Sequence, residues 1–473
     1  MDMCEYIEAA TSQIRARRAR DMVARELEAH IEDQAAYYKE QGMSEAQAEQ
    51  EAVRQMGNPV EVGISMDQIH RPRTDWKMIL MLVFLCGLGL SLQIALNKEV
   101  MRVQIGENEA AAALGIFSGI SRGLLAALFV AVILGVLVCV IDYTVILRYA
   151  PWFIGFVFLI LGMENFLIFR EFWMYRMFTT NQQYLLLPLY ASLLYRNRGR
   201  GGAGFAGGIF WLVLFQASLG ILGGGYMGVT STSGLRFGCV LLMMLSMAVI
   251  CGWYGDKRSG KLIGLWSSVL LAFCLAVFYM LQQNGFRAAR IRAILHPYDD
   301  AGGAGYYTVM IRGWIGRCSL WGNPEAAAQF VENYMGVSHL DASFSADDGN
   351  LLYLFLRYGI VPGVMVCLIF LVCMGYFLYR CLRQKNQLGR VTGAGCCMVF
   401  LVEFAGYLMS NLGGLPIGAN LPFLSYGGTD ICVWAVLMGF VFSIIRYQNL
   451  LPAEHRNQPA RYRYRLKIEK IPL

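Results

Sequence analysis

The chain has 473 residues, 56% of them hydrophobic and only 15% charged, with a formal net charge of +7. A soluble domain carries about 25% charged residues, so this composition excludes an ordinary water-soluble enzyme. It points to an all-α polytopic membrane protein, because in lipid a helix satisfies its own backbone, and the positive balance fits Lys and Arg gathered in cytoplasmic loops rather than nucleic-acid binding.

Residues 1–73 differ from the rest: the stretch "ARELEAHIEDQAAYYKEQGMSEAQAEQEAVRQMGNPVEVG" is charged and helix-prone. Leu27, His30 and Ile31 have the i, i+3, i+4 spacing of an amphipathic helix. Gly42 reads as a helix stop, Ser44 with Gln47 as a capping box, and Gly57-Asn58-Pro59 as the end of the next helix. The expectation is a small soluble helical domain. His30 and His70 are solitary and read as structural rather than metal-binding. The N-terminus lacks the apolar centre of a signal peptide, so the first membrane helix is expected to act as the insertion signal.

Ten apolar runs follow, at 78–97, 119–147, 151–169, 182–195, 203–224, 233–253, 261–282, 350–380, 392–411 and 430–446. With the N-terminal domain in the cytoplasm, ten spans bring the basic segments "RNRGRG", "DKRSGK", "RCLRQKNQLGR" and the tail "RNQPARYRYRLKIEK" to the same side. The domains read as 1–73, 76–450 and a basic cytoplasmic tail at 451–473. A large extracytoplasmic loop at 283–349 lies between helices 7 and 8, and 412–429 faces the same way. Of 13 cysteines most lie in apolar runs, where they act as small apolar residues; no disulfide framework and no metal spacing is expected.

The large loop mixes Arg287, Arg290, Arg292, Arg312 and Arg317 with Asp299, Asp300, Asp341, Asp347 and Asp348. Arginine's planar fork suits phosphate, and a carboxylate beside it suits a general base. A solvated loop with ordinary surface charge is the alternative. Asp347 and Asp348 stand directly before an apolar run, where helix capping competes with catalysis as their explanation. Inside the runs, Asp142, Glu164 and Glu403 are the clearest ionisable groups. No nucleophile elbow, P-loop or zinc motif sits in a suitable context.

The segment "GGLPIGANLPFLSYGGTD" (413–430) resembles the signature before the last helix of the SEDS proteins (FtsW, RodA and SpoVE). Pro416, Gly418, Leu421, Pro422, Phe423, Ser425, Tyr426, Gly427 and Gly428 fit it, while a Thr before Gly418 is missing. "FQASLGILGGG" (215–225), "RIRAILHPYDDAGGAGYYTVMIRGWIG" (290–316) and "DGNLLYLFLRYGIVPG" (348–363) resemble further family segments in order, and "NQQY" (181–184) faintly echoes "QPSE". The likeness covers about 76–450. Residues 1–73 resemble the helical prefix found before permease-like proteins of Gram-positive bacteria.

The resemblance implies a peptidoglycan glycosyltransferase that polymerises lipid II at the outer face of the cytoplasmic membrane, beside a class B penicillin-binding protein transpeptidase. Both termini would be cytoplasmic. Asp348 aligns with the family's essential loop aspartate and is the implied base. Arg290 and Arg312 are candidates for holding the diphosphate. Pro422, Ser425, Tyr426, Gly427 and Gly428 would wall the substrate site. A divalent cation, Mg or Mn, is compatible with a diphosphate leaving group, although no ligand cluster demands one. An acidic pair of the family is replaced by Arg357 and Tyr358. A lipid-linked precursor flippase and a non-catalytic scaffold are the competing readings.

Overall fold

A computed structural model describes residues 1–15, 17–105, 121–168, 181–222, 232–282, 289, 292–294, 296–303, 305–335, 349–414, 422–423 and 428–448. Among them the regular structure is helical. Four helices come first: α1 (Met3–Ser12), α2 (Arg17–Glu40), α3 (Glu45–Gln55) and α4 (Pro59–His70). The helix ends near Gly42 and Gly57 fall where the sequence places them, whereas 57–59 also opens a further helix, α4. Gly42, at φ +93°, sits just past the end of α2, in a region that costs glycine nothing. Asn58 caps α4 by accepting from the Val60 N–H at 3.0 Å, with Pro59 at the first position. Ser44 precedes α3, but its hydroxyl donates to Gln47 Oε1 at 2.9 Å rather than capping the backbone. Leu27 and Ile31 are buried. His30 is exposed, so the third member of that amphipathic trio faces away from the core.

The bundle is built from α5 (Trp76–Ile105), α6 (Ser121–Val140), α7 (Tyr143–Arg148), α8 (Ala150–Ile168), α9 (Leu186–Arg196), α10 (Gly201–Leu222), α11 (Thr232–Ile250) and α12 (Arg258–Gln282). After two short helices, α13 (Tyr306–Ile315) and α14 (Pro324–Phe330), come α15 (Asn350–Tyr358), α16 (Ile360–Leu382), α17 (Gln387–Asn411) and α18 (Gly428–Arg446). Six of the described helices are long and apolar enough to cross a membrane. The chain is a multi-pass helical membrane protein.

Two apolar runs divide. Run 119–147 breaks after α6, where Asp142 accepts from the Thr144 N–H at 2.9 Å and caps α7; this acid is a cap rather than a group within a span. Run 350–380 breaks at Gly359, whose φ of +106° and ψ of +168° form a conformation open only to glycine. The break is knitted to segment 319–323 by Ile360 N–H to the Ser319 carbonyl at 3.0 Å and Asn323 N–H to the Leu356 carbonyl at 2.6 Å. Run 182–195 becomes a 3₁₀ turn at Gln182–Leu185 followed by α9, which is buried along most of its length.

The core lies between α9, α11, α16, α17 and α18, with Phe237, Leu241, Met244, Phe377, Phe400 and Val441 fully buried. α6 and α18 pack most closely. A Cβ at Gly439 would come 2.7 Å from the Gly135 carbonyl oxygen, so a bare backbone is needed there. We call the end of the bundle bearing α13–α15 apical. The opposite end, where the four N-terminal helices join it, is basal.

Candidate active site

The candidate residues gather around the apical end of α17. Its last two turns project Tyr407 and Asn411 from one face, four residues apart. The Tyr407 hydroxyl accepts from the Leu351 N–H at 3.1 Å, and Asn411 Oδ1 accepts from the Leu352 N–H at 3.2 Å. These are first-turn donors of α15, which no intrahelical carbonyl can satisfy. α17 therefore caps α15 and fixes the backbone immediately after position 348. Gly349 is the N-cap of α15. The Asn350 side-chain oxygen is buried and has no hydrogen-bond donor among the described residues. It lines a small, mostly apolar pocket with Leu92, Leu96, Tyr353, Val366 and Tyr407.

Arg312 reaches the same place from α13. It is exposed, and its Nε donates to the Gly413 carbonyl at 3.1 Å. Gly413 has φ +66°, and a Cβ there would come 2.8 Å from Arg312 Cγ, so glycine is what allows the arginine to lie across this turn. The Tyr307 and Ser410 hydroxyls share a hydrogen bond of 3.0 Å. Beyond the turn, Pro422 is buried. Phe423 adopts φ +67°, uncommon for a bulky residue, and its ring stacks on Phe400 at 5.3 Å. Gly428 opens α18. Arg312 is thus part of the framework of α17, and Pro422 adjoins Phe423, which stacks on it. Asp348, Arg290, Ser425, Tyr426 and Gly427 lie outside the described residues. Arg357 and Tyr358 end α15, about 13 Å of helix from Gly349, so their departure from the family pattern is remote from the start of that helix. In the same apical group, burial pushes the Cys318 thiol up to about 11.

A second feature lies directly below, around Glu403, which the sequence singled out without showing its partners. Glu403 lies two turns before Asn411 on α17 and is fully buried. Its Oε1 accepts from Arg236 Nε of α11 at 2.7 Å and from the Tyr184 hydroxyl. Its Oε2 is buried without a donor among the described residues, as are the side-chain oxygens of Asn181, Gln183 and Gln216. Gln183 and Gln216 donate to the Ser233 and Gly234 carbonyls at 3.2 and 2.8 Å, so both amides flank the first turn of α11. A paired charge at this depth needs a partner to survive burial, and Arg236 provides it. The signal was present in sequence: Glu403, Tyr407 and Asn411 recur every four residues in an otherwise apolar helix. Among the described residues no group of three or more His, Cys, Asp or Glu could hold a metal ion.

Residues 232–450 match the family model of the FtsW/RodA/SpoVE cell cycle proteins. A probable peptidoglycan glycosyltransferase FtsW of Synechocystis is 28% identical over 243 residues, covering 48% of this chain and 58% of that protein. The peptidoglycan glycosyltransferase MrdB of Escherichia coli is 26% identical over 199 residues, covering 41% of this chain and 50% of that protein. The chain spans about half the length of the curated relatives it matches. A chain from a solved peptidoglycan synthase complex shares the fold with a TM-score of 0.57 at 16% identity, over 79% of this chain and 98% of that one. Over residues 232–450 the chain is thus similar to the FtsW/RodA/SpoVE proteins, and its fold is that of the chain from the solved synthase complex.

Proposed function

We propose that this chain is a peptidoglycan glycosyltransferase that polymerises lipid II at the outer face of the cytoplasmic membrane. One observation carries the proposal: the start of α15, Arg312 and the turn at Gly413 are all tied to the apical end of α17. Segments far apart in sequence thereby form one rigid frame, as a reaction centre requires. The names of the curated relatives support the same activity.

In this mechanism the Asp348 carboxylate takes the proton from an acceptor sugar hydroxyl. The hydroxyl oxygen bonds to the anomeric carbon of the donor as the bond from that carbon to the diphosphate breaks. The electron pair leaves with the lipid diphosphate, and Arg312 and Arg290 offset its charge. Pro422, Ser425, Tyr426, Gly427 and Gly428 wall the site and take no part in bond making. A divalent cation, Mg or Mn, would add to the charge neutralisation of the departing diphosphate. The partner is a class B penicillin-binding protein transpeptidase. The apical end faces outward and both termini lie in the cytoplasm of a Gram-positive bacterium. The four N-terminal helices correspond to a permease-type prefix.

The test is polymerisation of fluorescent lipid II by the purified chain with its partner. Long glycan strands are expected, with a loss of about 10²–10⁴-fold in Asp348→Asn. Full activity in that variant would overturn the base assignment. Lipid translocation without polymer would favour a flippase, and neither activity would favour a scaffold.

A further inference from the structure

Three independent ties bind the N-terminal helices and their linker to the basal ends of α16 and α18. The first is an ion pair between Asp75 Oδ2 and Arg380, near the end of α16; the two side chains are 13% and 27% exposed. Arg380 also donates to the Tyr376 hydroxyl at 3.1 Å, while Asp75 Oδ1 accepts from the Lys77 N–H at 3.1 Å and so caps α5. The second is the Arg73 N–H donating to the Arg446 carbonyl at 3.2 Å, on the last residue of α18. The third is Tyr447. Its ring packs against the apolar cluster of Ala10, Ile14, Ala19, Val23 and Leu27, inside the four-helix unit, and its hydroxyl donates to the Val140 carbonyl at the end of α6.

α18 runs from Gly428 at the apical end to Arg446, a rod of about 28 Å. It is keyed to α6 by the Gly135–Gly439 approach and by Ser443, whose hydroxyl donates to the Ile141 carbonyl at 2.8 Å and accepts from the Tyr143 N–H at 3.1 Å. Near its apical end Trp434 lies 5.7 Å from Tyr184 and 5.4 Å from Phe400. Tyr184 in turn donates to Glu403. A stiff helix held at one end by the N-terminal unit and touching the Glu403 network near the other transmits a tilt rather than absorbing it.

We propose that the N-terminal helices form a latch on α16 and α18, and that releasing the latch loosens the apical framework of α17 and α18. The device couples a soluble domain to the opposite end of the bundle without any residue of that domain reaching it. The coupling stands whether or not the chain polymerises lipid II, and its readout is independent of activity.

The experiment is amide exchange by mass spectrometry on the full chain in lipid nanodiscs. Asp75→Asn keeps the helix cap while removing the charge; combined with Tyr447→Ala it opens the latch. Faster exchange, about fivefold or more, is expected in two windows: 19–27 with 443–448 at the basal end, and 403–411 with 428–434 at the apical end. Faster exchange at the basal window alone would overturn the coupling, and no change in either window would overturn the latch. If the double variant fails to fold, Asp75→Asn alone is read in the same two windows.

Discussion

Arg236 and Glu403 cancel each other's charge inside the bundle. Removing one leaves the other buried and unpaired, which costs about 3–5 kcal/mol, whereas replacing both by apolar residues costs far less. Arg236→Met and Glu403→Leu should each lower the unfolding temperature in detergent sharply, and the double variant should recover much of the loss. Strict additivity would mean that the pair does not couple. Cys318 makes a gentler prediction. With its thiol pushed up to about 11, it stays protonated at pH 8 and should react with maleimide well below the rate of the exposed Cys4. The raised value also means that any stability the neutral thiol supports is present at neutral pH and lost as pH climbs through 11. Mass-spectrometric labelling rates decide it; equal rates would contradict the burial. The polar stripe of α17 was legible at residue level, through its four-residue spacing. The partnership with Arg236 was not, because 167 residues separate the two and no local pattern links them.

Gly359 shows why helices were easier to find than to delimit. Apolar residues continue through Leu354, Phe355, Ile360 and Val361, so hydropathy alone runs α15 and α16 together. The division depends on a backbone conformation and on contact with segment 319–323, neither of which a window of residue types reports. Gly359→Ala meets both a forbidden φ and the neighbouring backbone of Leu320 and Gly322. A cost of about 1–3 kcal/mol for the strain alone should appear as a lower unfolding temperature; an unchanged one would mean that the break tolerates a side chain. At the helix ends the outcome was better, because Gly42 and Gly57 act within a few residues of themselves; Asn58 and Pro59, read only as the end of α3, open α4. Ser44 and Gln47 were the right residues near the right boundary, but they bond side chain to side chain.

For the whole molecule, the basic segments carried the orientation argument and the glycine-rich signature carried the likeness to the FtsW/RodA/SpoVE proteins. A cysteine introduced at Ser345 tests the former: it should react with a membrane-impermeant maleimide in intact cells, and protection there would invert the topology. Composition could announce a multi-pass helical protein because apolar runs of membrane-spanning length satisfy their own backbone as helices. It could not announce that Arg73 meets Arg446, or that Tyr447 packs on the cluster of Ala10 to Leu27, because these contacts join segments hundreds of residues apart. The Tyr447 contact has a consequence for biosynthesis. Some 420 residues separate Leu27 from Tyr447, so at about 5–20 residues per second the ribosome needs about 20 to 80 s to deliver the second after the first. Throughout that interval the nascent N-terminal helices present an unfilled socket, and its filling marks completion of α18.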